Sequence, residues 1–161
     1  MIETLSRISD FIEILSLRIS QLFCTLMFII IFALVISRYI FNFSFPWAEE
    51  LTRYLMVWMA LLTAGVILRR DKHIRVDIFS KKIPPKLFFL FKTALNLLTI
   101  IFLIVLFKEG LSTAFSMKQV STSSLYISMF WPYFSIPVSS MCMIIFMINN
   151  ILNDVQKMIK S

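Results

Sequence analysis

Glycine, cysteine and histidine are nearly absent from this chain, with two, two and one respectively in 161 residues, and each scarcity removes a class of function. Cys24 and Cys142 each sit inside an apolar run, and no CxxC occurs, so neither a disulfide framework nor dithiol redox chemistry is expected. His73 is alone, and one imidazole supplies neither a multidentate metal site nor a haem axial pair. No metal and no cofactor are therefore expected. Gly65 and Gly110 leave little material for the broken helices that coordinate substrates and ions, and no GxxxG face for close dimerisation. No acidic or basic residue falls in the middle of the long apolar runs, where transport pathways usually carry them. The chain is expected to be neither an enzyme nor a transport path by itself.

What is abundant is apolar surface. Hydrophobic residues make up 59% of the chain and charged ones 16%, against about 25% charged in soluble domains. Seventeen phenylalanines and ten methionines stand out, and the mean hydropathy is +0.86. The fold class is all-α integral membrane, in one domain covering 1–161. A span needs about 20 apolar residues, which places four at approximately 19–37, 47–68, 87–107 and 133–151. Before the first, Ile2, Leu5, Ile8, Ile12 and Leu15 recur at helical spacing with Glu3, Arg7, Asp10 and Glu13 on other faces. That pattern predicts an amphipathic interfacial segment running into the first span. Its acidic residues and the lack of a small-residue cleavage site predict an anchor that is retained, not a cleaved leader.

A net charge of +7 in a soluble protein would point to nucleic acid. Here the basic residues flank apolar runs, so membrane lipids and topology account for them and no nucleic acid is expected. With four spans, twelve lysines and arginines fall on the side of the termini and the second loop, and four on the other. The positive-inside rule then puts both termini in the cytoplasm.

The densest pattern runs from Trp47 to Asp77, WAEELTRYLMVWMALLTAGVILRRDKHIRVD. Pro46 suits a first helical turn, and Glu49 and Glu50 favour the positive end of the helix dipole. Glu49 precedes Arg53 by four residues, the favourable order for a helical ion pair. The competing reading gives one carboxylate to a partner protein, with Glu50 favoured because Tyr54 and Trp58 follow it on one stripe. His73 reads as a residue that orders the loop from Arg69 to Asp77.

These residues resemble the small integral membrane subunit of tripartite ATP-independent periplasmic (TRAP) transporters. The matching elements are Trp47-x-Glu49-Glu50-Leu51-x-Arg53-Tyr54, Trp58, Gly65, and Arg69 to Asp77 with Arg70, His73, Arg75 and Asp77 in it. Weaker matches follow at Ser124-Leu125-x-Ile127, Trp131, Tyr133 and Pro137. Ser128, Met129 and Ser139 stand where the resemblance expects a proline and glycines. The resemblance implies a scaffold in the bacterial inner membrane that docks a larger, sodium-coupled transport subunit, with Trp47, Glu49, Glu50, Arg53, Tyr54 and Trp58 at the partner interface. A periplasmic substrate-binding protein would deliver an organic acid, of dicarboxylate or sialic acid class, to the complex. Two other classes compete with it. A self-assembling small channel or exporter would line its pore with Ser, Thr and Asn. A quinone-linked membrane oxidoreductase subunit would need paired cysteines or helix-borne histidines.

Overall fold

The computed structural model describes the backbone of residues 2–70 and 85–160, and the side chains of 5–70 and 94–152. Four long helices account for nearly all of it: α1 (Ile2–Ile40), α2 (Pro46–Arg70), α3 (Pro85–Ser116) and α4 (Phe130–Lys160). Each contains a stretch long and apolar enough to cross a membrane, so this is a multi-pass all-α membrane protein. No strand occurs among the described residues, only an isolated antiparallel bridge between Ser121 and Ser128.

Local chemistry sets the helix ends. After α1 the chain turns through Asn42, whose φ of 49° lies in the left-handed region that Asn tolerates. The Ser37 carbonyl accepts from the Phe41 and Phe43 amides, and the Ser37 hydroxyl donates to the Phe43 carbonyl at 2.8 Å. Pro46 then opens α2, where its missing N–H costs nothing. At the start of α4 the Ser128 hydroxyl accepts from the Phe130 amide at 3.2 Å and donates to the Lys118 carbonyl at 2.7 Å. Ser128 thus does as a helix cap what a turn-forming residue would do there.

Packing makes α4 the hub. It touches all three other helices, α1 pairs with α2, and α3 packs mainly on α4. Half of α4's membrane-length window is buried within the chain, against 22% for α2, 11% for α3 and 6% for α1. Small and polar residues line the contacts: Ser9, Ser16 and Ser20 on α1, and Ser135, Ser139 and Ser140 on α4, are buried. In lipid, helices gain little by hiding apolar surface from each other, so close backbone approach holds them. The two glycines sit at crossings. A Cβ on Gly110 would lie 2.7 Å from Ile136 Cγ2, and one on Gly65 would lie 3.3 Å from Met143 Cγ.

One helix departs from its expected bounds and another runs on as expected. The third was expected over 87–107 but continues to Ser116, with its membrane-length stretch at Ala94–Gln119. Lys108 and Glu109 do not stop it, because both are exposed while Gly110 and Ala114 beyond them bury against α4. The first runs as expected, from the N-terminal segment into the span as one unbroken helix, Ile2–Ile40. Asp10 and Glu13 make it run on by pairing with α2 rather than with water alone.

Candidate functional site

The second helix carries a polar anchor at each end. At the Pro46 end, Glu50 is half-buried and fully engaged. Its Oε1 accepts from the Tyr54 hydroxyl at 2.7 Å, and its Oε2 accepts from the Ser124 and Leu125 amides at 2.8 and 3.0 Å. A carboxylate accepting two adjacent backbone N–H groups fixes a turn firmly, because these are charge-assisted bonds. The turn so held lies between α3 and α4. It is closed by Thr122 N donating to Ile127 O at 2.8 Å and Met129 N donating to Val120 O at 2.9 Å, with Tyr126 at φ 54°. Ser124, Leu125 and Ile127, the weakly matching string of the sequence, are the residues that build it.

Below the anchor, Trp58 Nε1 donates to the Trp131 carbonyl at 3.2 Å. Tyr54, Trp58, Leu62, Phe23 and Trp131 border an apolar cavity of about 410 Å³ between α1, α2 and α4. The stripe Glu50, Tyr54, Trp58 therefore faces the chain's own loop and fourth helix. Glu49, Arg53 and Trp47 face outward: Glu49 and Arg53 form an exposed ion pair at 3.9 Å, and Trp47 packs edge-on against Phe45. With Tyr39, Phe41 and Phe43 also exposed, this end presents a girdle of rings of the kind that sits at a bilayer interface.

At the Arg70 end, two arginines clamp α1. Arg69, whose side chain is 12% exposed, pairs with Asp10 and, at 2.6 Å, with Glu13; it also donates to the Ser9 carbonyl. Its guanidinium lies 5.4 Å from the centroid of the buried Phe146 ring, which adds a cation–π contact to α4. Arg70 meets the other Glu13 oxygen at 2.7 Å from a more exposed position. The Arg69 cluster ties three helices together. His73, Arg75 and Asp77 lie outside the described residues.

Sequence reasoning missed Asp10, Glu13 and Phe146 as partners of Arg69. The signal available was the spacing of Asp10 and Glu13, three apart on one helical face opposite two arginines otherwise unmatched. Among the described residues, no cluster of three or more His, Cys, Asp or Glu is placed to hold a metal ion.

In sequence, the chain is similar to permease components of TRAP transporters. The Vibrio cholerae "Sialic acid TRAP transporter small permease protein SiaQ" is 26% identical over 117 residues, 73% of this chain and 68% of that one. The "C4-dicarboxylate TRAP transporter small permease protein DctQ" of the same organism is 34% identical over 82 residues, 51% of this chain and 35% of that one. The "Sialic acid TRAP transporter permease protein SiaT" of Haemophilus influenzae is 27% identical over 115 residues, 71% of this chain but 18% of that much longer protein. For two of the curated relatives the match spans only 37% and 35% of their own length. The profile of the family described as "Tripartite ATP-independent periplasmic transporters, DctQ component" matches residues 27–157, well over half of the sequence. The chain belongs to the DctQ-component family of the tripartite ATP-independent periplasmic (TRAP) transporters.

Proposed function

We propose that this protein is the small permease subunit of a sodium-driven TRAP transporter for organic acids, of dicarboxylate or sialic acid class. It docks and anchors a larger transport subunit in the bacterial inner membrane, and a periplasmic substrate-binding protein supplies the complex. Both termini and the Arg70 end of α2 lie in the cytoplasm, following the lysine and arginine asymmetry. The carrying observation is the uneven burial of four membrane-length helices: α4 is half-buried by the chain itself, while α1 and α3 leave most of their surface uncovered. A self-sufficient pore closes its helices around a path, whereas helices tied together with broad uncovered faces support the reading of a scaffold for another body. The SiaT relative supports the reading, since a segment like this chain makes up a minor part of a much longer permease.

In mechanism, a transport domain changes its depth in the bilayer only if something resists being carried with it. The two anchors on α2 stiffen such a resisting layer, and the Phe41, Phe43 and Trp47 girdle fixes its depth. Trp47, Glu49 and Arg53 form the outward part of the partner interface, with Glu50, Tyr54 and Trp58 shaping it from behind.

The test is reconstitution in vesicles under an inward sodium gradient, with labelled succinate or sialic acid. The chain alone gives uptake equal to empty vesicles. With the large permease and the binding protein, uptake appears and collapses when sodium is removed. Uptake by the chain alone contradicts the scaffold reading and favours the self-assembling channel.

A further inference from the structure

The uncovered face of α1 is not uniformly apolar. Arg18 and Gln21 lie on one stripe with Phe11, Ile14, Phe28 and Phe32, and all six are exposed. Steps of three, four and seven put them on the side opposite the buried Ser9, Ser16 and Ser20. Among the described residues, neither Arg18 nor Gln21 makes an ion pair or a side-chain hydrogen bond.

Depth makes this stripe informative. Glu13 is tied to Arg69 and Arg70, which close α2. At 1.5 Å per residue, Arg18 sits about 7 Å and Gln21 about 12 Å further along α1 into the span. A guanidinium on its long stem can reach back to the interface. A glutamine amide at that depth cannot, and polar groups facing hydrocarbon without partners are costly. A protein surface over this face would supply those partners.

We infer that the Arg18–Gln21–Phe28–Phe32 face of α1 is the docking surface for the large permease subunit, which presents a carboxylate or free backbone carbonyls to Arg18 and an amide-complementary group to Gln21. The inference rests on the scaffold reading above and adds which helix face makes the contact. Polar complementarity sets the chemistry of the occupant: the Gln21 amide calls for a partner on a neighbouring helix, and Arg18, one turn nearer the interface on the same stripe, adds a preference for an acceptor there. The SiaT relative identifies its kind, because there the matching segment is continuous with a far longer permease chain.

The test places a photo-crosslinking residue at Gln21, at Phe28 and, as a comparison, at the exposed Leu98 of α3, in the full chain co-expressed with its large permease. Adducts identified by mass as the large permease at Gln21 and Phe28, but not at Leu98, are expected. Arg18→Leu lowers recovery of the permease by at least about tenfold, and Arg18→Lys restores part of it. The thermal midpoint of the isolated chain is unchanged by Arg18→Leu, which separates lost docking from lost folding. Adducts at Gln21 only to lipid, or only to a second copy of this chain, overturn the assignment even when wild-type protein recovers the permease. A wild-type chain that recovers no permease overturns the scaffold reading and this face together.

Discussion

Helices α4 and α1 both qualify as membrane spans, yet they relate to the rest of the molecule in opposite ways. The window of α4 is half-buried by its own chain and that of α1 only 6%. The buried helix is the one with Ser135, Ser139, Ser140, Asn149 and Asn150 in its core, and the uncovered one is lined outside with Phe, Ile and Leu. In a soluble protein the distribution would be the reverse. Lipid rewards packing and hydrogen bonding between helices and leaves apolar side chains free to face outward. Internal stability is therefore concentrated on α4, and most of the surface of α1 is left uncovered by the chain.

That contrast predicts graded effects. Phe146→Ala should be the most damaging, because the ring is fully buried and supports both Gly65 and Arg69. A loss of about 3 kcal/mol is expected, the low end for a buried Phe, since in lipid the transfer part of the cost falls away. Unfolding of the purified chain in mixed micelles measures it, and a loss under 1 kcal/mol would remove α4 as the stability centre. Next comes Arg69→Met, which leaves Glu13 only its more exposed partner. About 1.5–3 kcal/mol is expected for charged hydrogen bonds, with Arg70→Met costing about 0–1 kcal/mol by the same measurement. Equal losses for the two arginines would show that exposure does not separate them.

Glu50→Gln acts locally. It keeps the shape but replaces a charged acceptor with a neutral one, so the Ser124 and Leu125 amides should exchange hydrogen faster while α1 and α2 amides do not. Unchanged protection at those two positions would deny the anchor its role. Smallest of all is Phe28→Ala on α1, expected within about 0.5 kcal/mol of wild type for the isolated chain. A large loss there would mean that α1 supports the chain itself after all.

Much of the architecture was legible because charges bracket the apolar runs. Arg53 and Arg69 framed α2, and its observed ends, Pro46 and Arg70, lie within two residues of expectation. The end of α3 was not legible, since Lys108 and Glu109 look like a boundary and only the packing of Gly110 and Ala114 on α4 carries the helix past them. The stripe Glu50, Tyr54, Trp58 was visible from spacing, but its direction was not. Its carboxylate bonds to backbone amides some 74 residues away, and an amide leaves no mark in the residue alphabet. A separation of 59 residues likewise hid Asp10 from Arg69. The glycines were read as a shortage, although each one admits a neighbouring helix at a single point.

The position of the hub after the other three helices has a consequence for biosynthesis. Translation delivers α1 and α2 first, and they can pair and form their Arg69 clamp as soon as both are inserted. The third helix has no such opportunity: its main neighbour, α4, follows it in the chain. Between those moments the Gly110 face of α3 lacks the Ile136 and Pro137 surface it packs on. Packing of α3 thus waits on α4, and a message truncated before Phe130 leaves α3 without its main neighbour.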